Sequence, residues 1–149
     1  MKMKVIDWIV RVVAAVILLQ TLYFKFSGAE VSVFIFSQLG VEPWGRITTG
    51  GFELLAAILL ITPRFVWVGC ILALGVMSGA ILSHLFILGI EVQNDGGLLF
   101  ALAIVVFVSS ALSLFIHRAD IPLIRISKNG QASVVQHEPV EIDEDVREE

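Results

Sequence analysis

An all-α fold, a bundle of four membrane-spanning helices, is predicted by three features of the 149-residue sequence. Hydrophobic residues make up 57% of the chain, and the mean hydropathy of +0.90 lies far above that of soluble domains. The apolar residues fall into four runs, each able to cross ~30 Å of hydrocarbon at 1.5 Å per residue. Most charges sit between these runs or beyond the last one. Residues 1–118 are therefore expected to form the membrane domain and residues 119–149 a cytoplasmic tail.

The first span covers about residues 6–26, with Trp8 and Tyr23 suited to its two interfaces. Lys2 and Lys4 precede it as in a signal peptide, but the apolar stretch is long and no small-x-small cleavage site comes before Lys25. It reads as a retained helix. Ser27-Gly28-Ala29-Glu30 has capping-box spacing. A short helix ending at Gly40 should follow, too apolar for water and too short to span, lying in the interface of the first outer loop.

Glu42-Pro43-Trp44 opens the second span, about 43–61, because proline is tolerated in a first helical turn. Thr62-Pro63-Arg64 ends it. The third span, about 65–88, carries Gly75, Gly79 and Ser83 at four-residue spacing, a ridge that should let another helix approach closely. Asn94-Asp95-Gly96-Gly97 marks a turn, and the fourth span runs over about 98–115.

With both termini cytoplasmic, Lys2, Lys4, Arg64, Arg118, Arg125 and Lys128 fall on one side, as the positive-inside rule requires. In the tail, Lys128-Asn129-Gly130-Gln131 predicts a weak hairpin over 123–135. Residues 138–149 carry seven carboxylates against Arg147 and should be disordered. No basic stripe exists for nucleic acid. The single cysteine, Cys70, excludes an intrachain disulfide and reads as a small apolar filler.

An ionisable group inside a bilayer costs several kcal/mol unless it has a partner. Glu53 lies ~10 Å deep and His84 ~6 Å deep from the outer ends of their spans, and Lys25 stands at the outer end of the first. Thr21, Thr48, Thr49, Ser78, Ser83 and Gln20 add polar groups at similar depth, while the cytoplasmic half is expected to hold almost none. This asymmetry predicts a polar pocket open to the outer face with Glu53 at its floor. Gly50, Glu53 and Ala57 share one helix face, Ala80 and His84 another, Thr21 and Lys25 a third, with Gln20 pointing elsewhere.

A carboxylate beside an imidazole can relay a proton, bind a cation or hydrogen-bond a polar headgroup. The same pairs can instead simply hold three helices together. Lys25, Glu53 and His84 are the candidates for proton transfer or ligand contact, and Thr49, Ser83 and Tyr23 for lining the pocket. Two metal ligands without a close third do not make a metal site, and no haem-binding histidine pair exists.

Tyr23-Phe24-Lys25-Phe26-Ser27-Gly28, Phe36-Ser37-Gln38-Leu39-Gly40, Gly50-Gly51-Phe52-Glu53-Leu54 and Gly79-Ala80-Ile81-Leu82-Ser83-His84-Leu85, in this order and spacing, resemble the DoxX family of bacterial four-helix membrane proteins. The resemblance covers about residues 6–115. It implies a multi-pass protein of the bacterial inner membrane, related to subunits of redox systems, including a thiosulfate:quinone oxidoreductase subunit and a membrane partner in oxidative-stress complexes. The family's lysine, glutamate and histidine positions fall on Lys25, Glu53 and His84. Distant relatives exchange thiols and disulfides with quinones, which Cys70 alone cannot do.

A quinone is thus one cofactor the pocket could take. Beside the lipid bilayer, a redox protein or a second copy of the chain is the partner to consider. A non-catalytic scaffold is the alternative reading. A small transporter or proton path fits less well, because no inverted repeat or broken span is present.

Overall fold

A computed structural model describes residues 2–118 and 121; the expected hairpin over 123–135 and the acidic stretch over 138–149 lie outside them. The described chain is helical. It comprises α1 (Lys2–Phe26), α2 (Glu30–Gln38), α3 (Trp44–Ile61), α4 (Val66–Ser83), a π-helical turn (His84–Leu88) and α5 (Leu98–Ile116). α1, α3, α4 with its π turn, and α5 are each long and apolar enough to cross a membrane. The molecule is a multi-pass membrane protein.

The long helices pack in a ring, α1 on α3, α3 on α4, α4 on α5, and α5 back on α1. Its seam is built from small residues: Ala14, Ala56, Ala57, Cys70 and Ala73 are buried beside Leu18, Leu60 and Val106. Small side chains let helices close where lipid and protein are equally apolar and dispersion contacts must hold them together. Large residues such as Phe52, Phe86 and Phe115 face outward, where lipid chains would solvate them.

The close approach between helices lies at Gly69. A Cβ there would stand 2.7 Å from the Leu60 backbone nitrogen and 2.9 Å from the Leu59 carbonyl carbon. The expected ridge at Gly75 and Gly79 is different, because a Cβ on either would meet nothing within 4 Å. These two glycines line a partly open cavity instead. Four-residue spacing puts them on one face, but which face meets a helix is set by how α4 is rotated in the ring.

The capping box expected at Ser27–Glu30 does not form. α2 begins at Glu30 without a side-chain cap, and the Ser27 hydroxyl donates back to the Phe24 carbonyl at 3.3 Å. Ser27 is occupied with closing α1. Gly28 adopts φ +68°, the Ala29 amide donates to the Phe24 carbonyl (3.1 Å) and the Gly28 amide to the Lys25 carbonyl (3.4 Å), which is the Schellman termination that glycine favours.

Candidate functional site

The half of the ring next to α2 and the π turn holds a partly open cavity of about 640 Å³, bordered by α2 and by all four long helices. Its walls are mainly aliphatic and aromatic, with polar groups at a few points. Glu53 is one of these, and it is 2% exposed. Both its oxygens accept from the Lys25 ammonium, at 2.6 and 2.8 Å, and Oε2 also receives the Thr21 hydroxyl at 3.3 Å. Thr21 and Lys25 stand one turn apart on α1, so one helix face supplies both donors.

His84 is 5% exposed and stands on another wall of the same cavity. Its Nδ1 lies 2.8 Å from the Gly89 carbonyl oxygen, and its ring meets Phe100 edge-on at 5.7 Å. No hydrogen bond joins it to Glu53 among the described residues. The partner that α3 finds for its carboxylate is therefore Lys25 of α1. A π turn begins at His84; such single turns are rare and frequent at functional sites.

Thr49 and Ser83 line the cavity, as does Gln20, which had been expected to point elsewhere. Ile17, Gln20, Thr21 and Phe24 all line it, so the cavity reaches more than one face of α1. Thr49 donates to the Gly45 carbonyl at 2.7 Å and Ser83 to the Gly79 carbonyl at 2.8 Å. Tyr23, a candidate for pocket lining, does not line the cavity: it is 70% exposed and packs edge-on against Phe24.

Asp95, read from sequence only as part of a turn, also lines the cavity. Its carboxylate accepts the amides of Val92 (2.8 Å), Gly97 (2.9 Å) and Leu99 (2.9 Å), closing the start of α5. Burial alone would raise its pKa. The amides of Leu99, Val92 and Gly97, with the nearby His84, outweigh that and hold it below the usual aspartate value. An aspartate just before an apolar helix was the sequence signal for this role.

The folded pKa lies below the unfolded one, so Asp95 stabilises the protein fully above the ordinary carboxylate range and loses that contribution on acidification through the folded value. Asp95→Ala is expected to cost about 1–2 kcal/mol near neutral pH. The gap to the parent should narrow as pH falls below ~4, as followed by thermal melting in detergent.

The opposite half of the bundle was expected to be nearly free of polar groups, and this is corrected. Asp7 and Arg11 are each 5% exposed. Asp7 accepts from Arg11 Nη1 (3.2 Å) and from the Ser113 hydroxyl (2.6 Å), and lies 2.9 Å from His117 Nε2. Arg11 Nε donates to the Leu60 carbonyl at 2.6 Å. Cys70 has the Ser113 hydroxyl and the Asp7–Arg11 pair in its surroundings, so it is a filler beside polar groups. The network ties α1 to α3 and α5. Asp7 and Arg11 at i,i+4 within an apolar span were its sequence signal.

Among the described residues no three His, Cys, Asp or Glu side chains cluster as metal ligands would. In comparison with known proteins, a family model described as the DoxX-like family matches residues 9–113. No curated protein matches the chain, and no solved structure does either.

Proposed function

The chain belongs to the DoxX-like family, and we propose that it is a redox-associated membrane subunit whose cavity binds a quinone or a similar amphipathic molecule with a small polar head. One observation carries this reading: the Lys25–Glu53 pair, with its carboxylate buried, stands in the wall of a mainly apolar cavity of about 640 Å³. That volume is in the range of small-molecule sites, which combine apolar walls with a few fixed polar groups.

In this role Lys25, already ordered by Glu53, stabilises negative charge developing on a ring oxygen. Glu53 and His84, on separate walls, take up or deliver the protons that accompany reduction. Electrons come from a redox-protein partner. The cavity half faces the periplasm and both termini lie in the cytoplasm of a bacterium, the orientation that best satisfies the positive-inside rule.

The test is binding of decylubiquinone to the full-length protein in nanodiscs, followed by quenching of its tryptophans. Gly79→Leu fills the cavity without touching a polar group, and it should weaken binding at least tenfold. His84→Ala and Glu53→Gln should each weaken it as well. Binding unchanged in all three variants, or none in the parent protein, would sink the reading.

A second reading is supported by how completely Glu53 is satisfied by Lys25 and Thr21: the pair then only joins α1 to α3 in a non-catalytic scaffold. Under it, Glu53→Gln loosens the fold but no quinone binds to the parent.

A further inference from the structure

The polar groups of the cavity wall differ in what they have left to offer a ligand. Lys25 directs two of its three ammonium protons to the Glu53 oxygens. Thr49 and Ser83 donate their hydroxyl protons to the Gly45 and Gly79 carbonyls and keep lone pairs for anything else. The Asp95 carboxylate is taken up by three backbone amides. Ser32 of α2, 6% exposed, can serve in either role.

His84 is the group whose role the backbone settles. The π turn that begins with it is followed by Gly89, at φ +83° and ψ 170°, a region open essentially to glycine alone. With the chain turned this way, the Gly89 carbonyl oxygen lies 2.8 Å from His84 Nδ1. A carbonyl can only accept, so Nδ1 carries the hydrogen. Phe100 meets the ring edge-on and packs against the plane this sets.

The other ring nitrogen follows by elimination. His84 forms no ion pair among the described residues. In the neutral ring one nitrogen bears the hydrogen and the other a lone pair, so Nε2 is an acceptor. It has no hydrogen-bond partner among the described residues, yet the fully enclosed side-chain atoms left without one are Arg11 Nη2 and Ser110 Oγ. Nε2 is therefore not sealed in protein, and the space His84 borders is the cavity.

We infer that His84 makes the cavity selective for a hydroxyl-bearing head, a phenol or the reduced form of a quinone, whose O–H donates to Nε2. A quinone or an ether at the same place sets one acceptor against another and leaves both unpaired, the kind of buried mismatch that discriminates well between similar ligands. The remaining Lys25 proton serves an oxygen of either kind, so the choice falls to His84. Gly89 is the positioning residue, because its carbonyl fixes which nitrogen accepts. The selectivity rests on the reading of the cavity as a small-molecule site, and its probes are not quinones.

The probes are para-nonylphenol and its methyl ether, which lacks the O–H. Affinities are measured by isothermal titration on the full chain in nanodiscs at about pH 8, above the ordinary histidine range, with protein-free nanodiscs as the blank. The phenol should bind at least about tenfold tighter than the ether, and His84→Leu should bring it down to the ether's affinity. Nitrogen NMR of the protein with isotope-labelled histidine should show Nδ1 of His84 protonated and Nε2 bare, the His84→Leu spectrum identifying its signals among those of the three histidines. Gly89→Ala should lose this tautomer and most of the preference. Equal affinities for the two probes, a preference that survives His84→Leu, or a protonated Nε2 in the parent protein would each overturn the inference, as would binding of neither probe. Loss of decylubiquinone binding alone tells against the quinone and leaves this selectivity standing.

Discussion

Lys25→Met is expected to destabilise the bundle by about 3 kcal/mol, the lower end of what breaking a buried ion pair costs. The lower end applies because Lys25 keeps 15% of its side chain exposed while Glu53 keeps 2%. The loss is mostly that of leaving the Glu53 carboxylate buried with Thr21 as its remaining side-chain donor. It is not the net strength of the pair, since two charges already removed from water recover little by meeting. The double variant Lys25→Met/Glu53→Leu should therefore regain most of the lost stability. Unfolding by titration with a denaturing detergent, followed by circular dichroism, measures all the variants. A double variant no more stable than Lys25→Met alone would show that the pair contributes directly, or that Glu53 has another role in the fold.

Gly69→Ala is expected to cost about 2–3 kcal/mol, in the range for overpacking a tight interior. The added methyl would meet Leu60 and Leu59 backbone atoms at 2.7 and 2.9 Å. Backbone at a helix crossing cannot rotate away as a side-chain tip can, so α3 and α4 must move apart. Gly75→Ala and Gly79→Ala meet nothing, and each should change stability by less than ~1 kcal/mol, gaining at most the helix propensity of alanine over glycine. The same unfolding titration separates the three. A Gly69→Ala protein as stable as Gly75→Ala would mean that the α3–α4 crossing is looser than its geometry.

The contrast among these glycines shows what periodicity can and cannot settle. Gly75 and Gly79 repeat at the spacing of a packing ridge, whereas Gly69 stands outside that repeat; in the folded ring it is Gly69 that meets backbone. The register of α4 against α3 comes from how the whole ring closes, with Ala56, Ala57, Cys70 and Ala73 filling the seam. The polar residues behave alike. Lys25 and Glu53 were legible because an ionisable group in an apolar run must find a partner. Which partner Glu53 takes was not legible, since His84 and Lys25 were both within reach by depth. The turn of α1 decides it, placing Thr21 and Lys25 together on the carboxylate.

Asp7 and Arg11 obey the same rule, but they stand near a chain end, where charge is ordinarily solvated, and their partners lie far away in sequence. Contacts from Ser113 and His117, more than a hundred residues away, turn them into a buried network. By itself, then, the sequence determined that four helices of this chain are long and apolar enough to cross a membrane, and that charge inside them must be paired. Hydropathy and helical rise are local properties, additive along the chain. Only the tertiary structure decided which helix faces meet, that a cavity remains between them under α2, and which side chains share it. Those outcomes depend on the rotation of each helix against its neighbours, and that rotation is set by all the packing contacts at once.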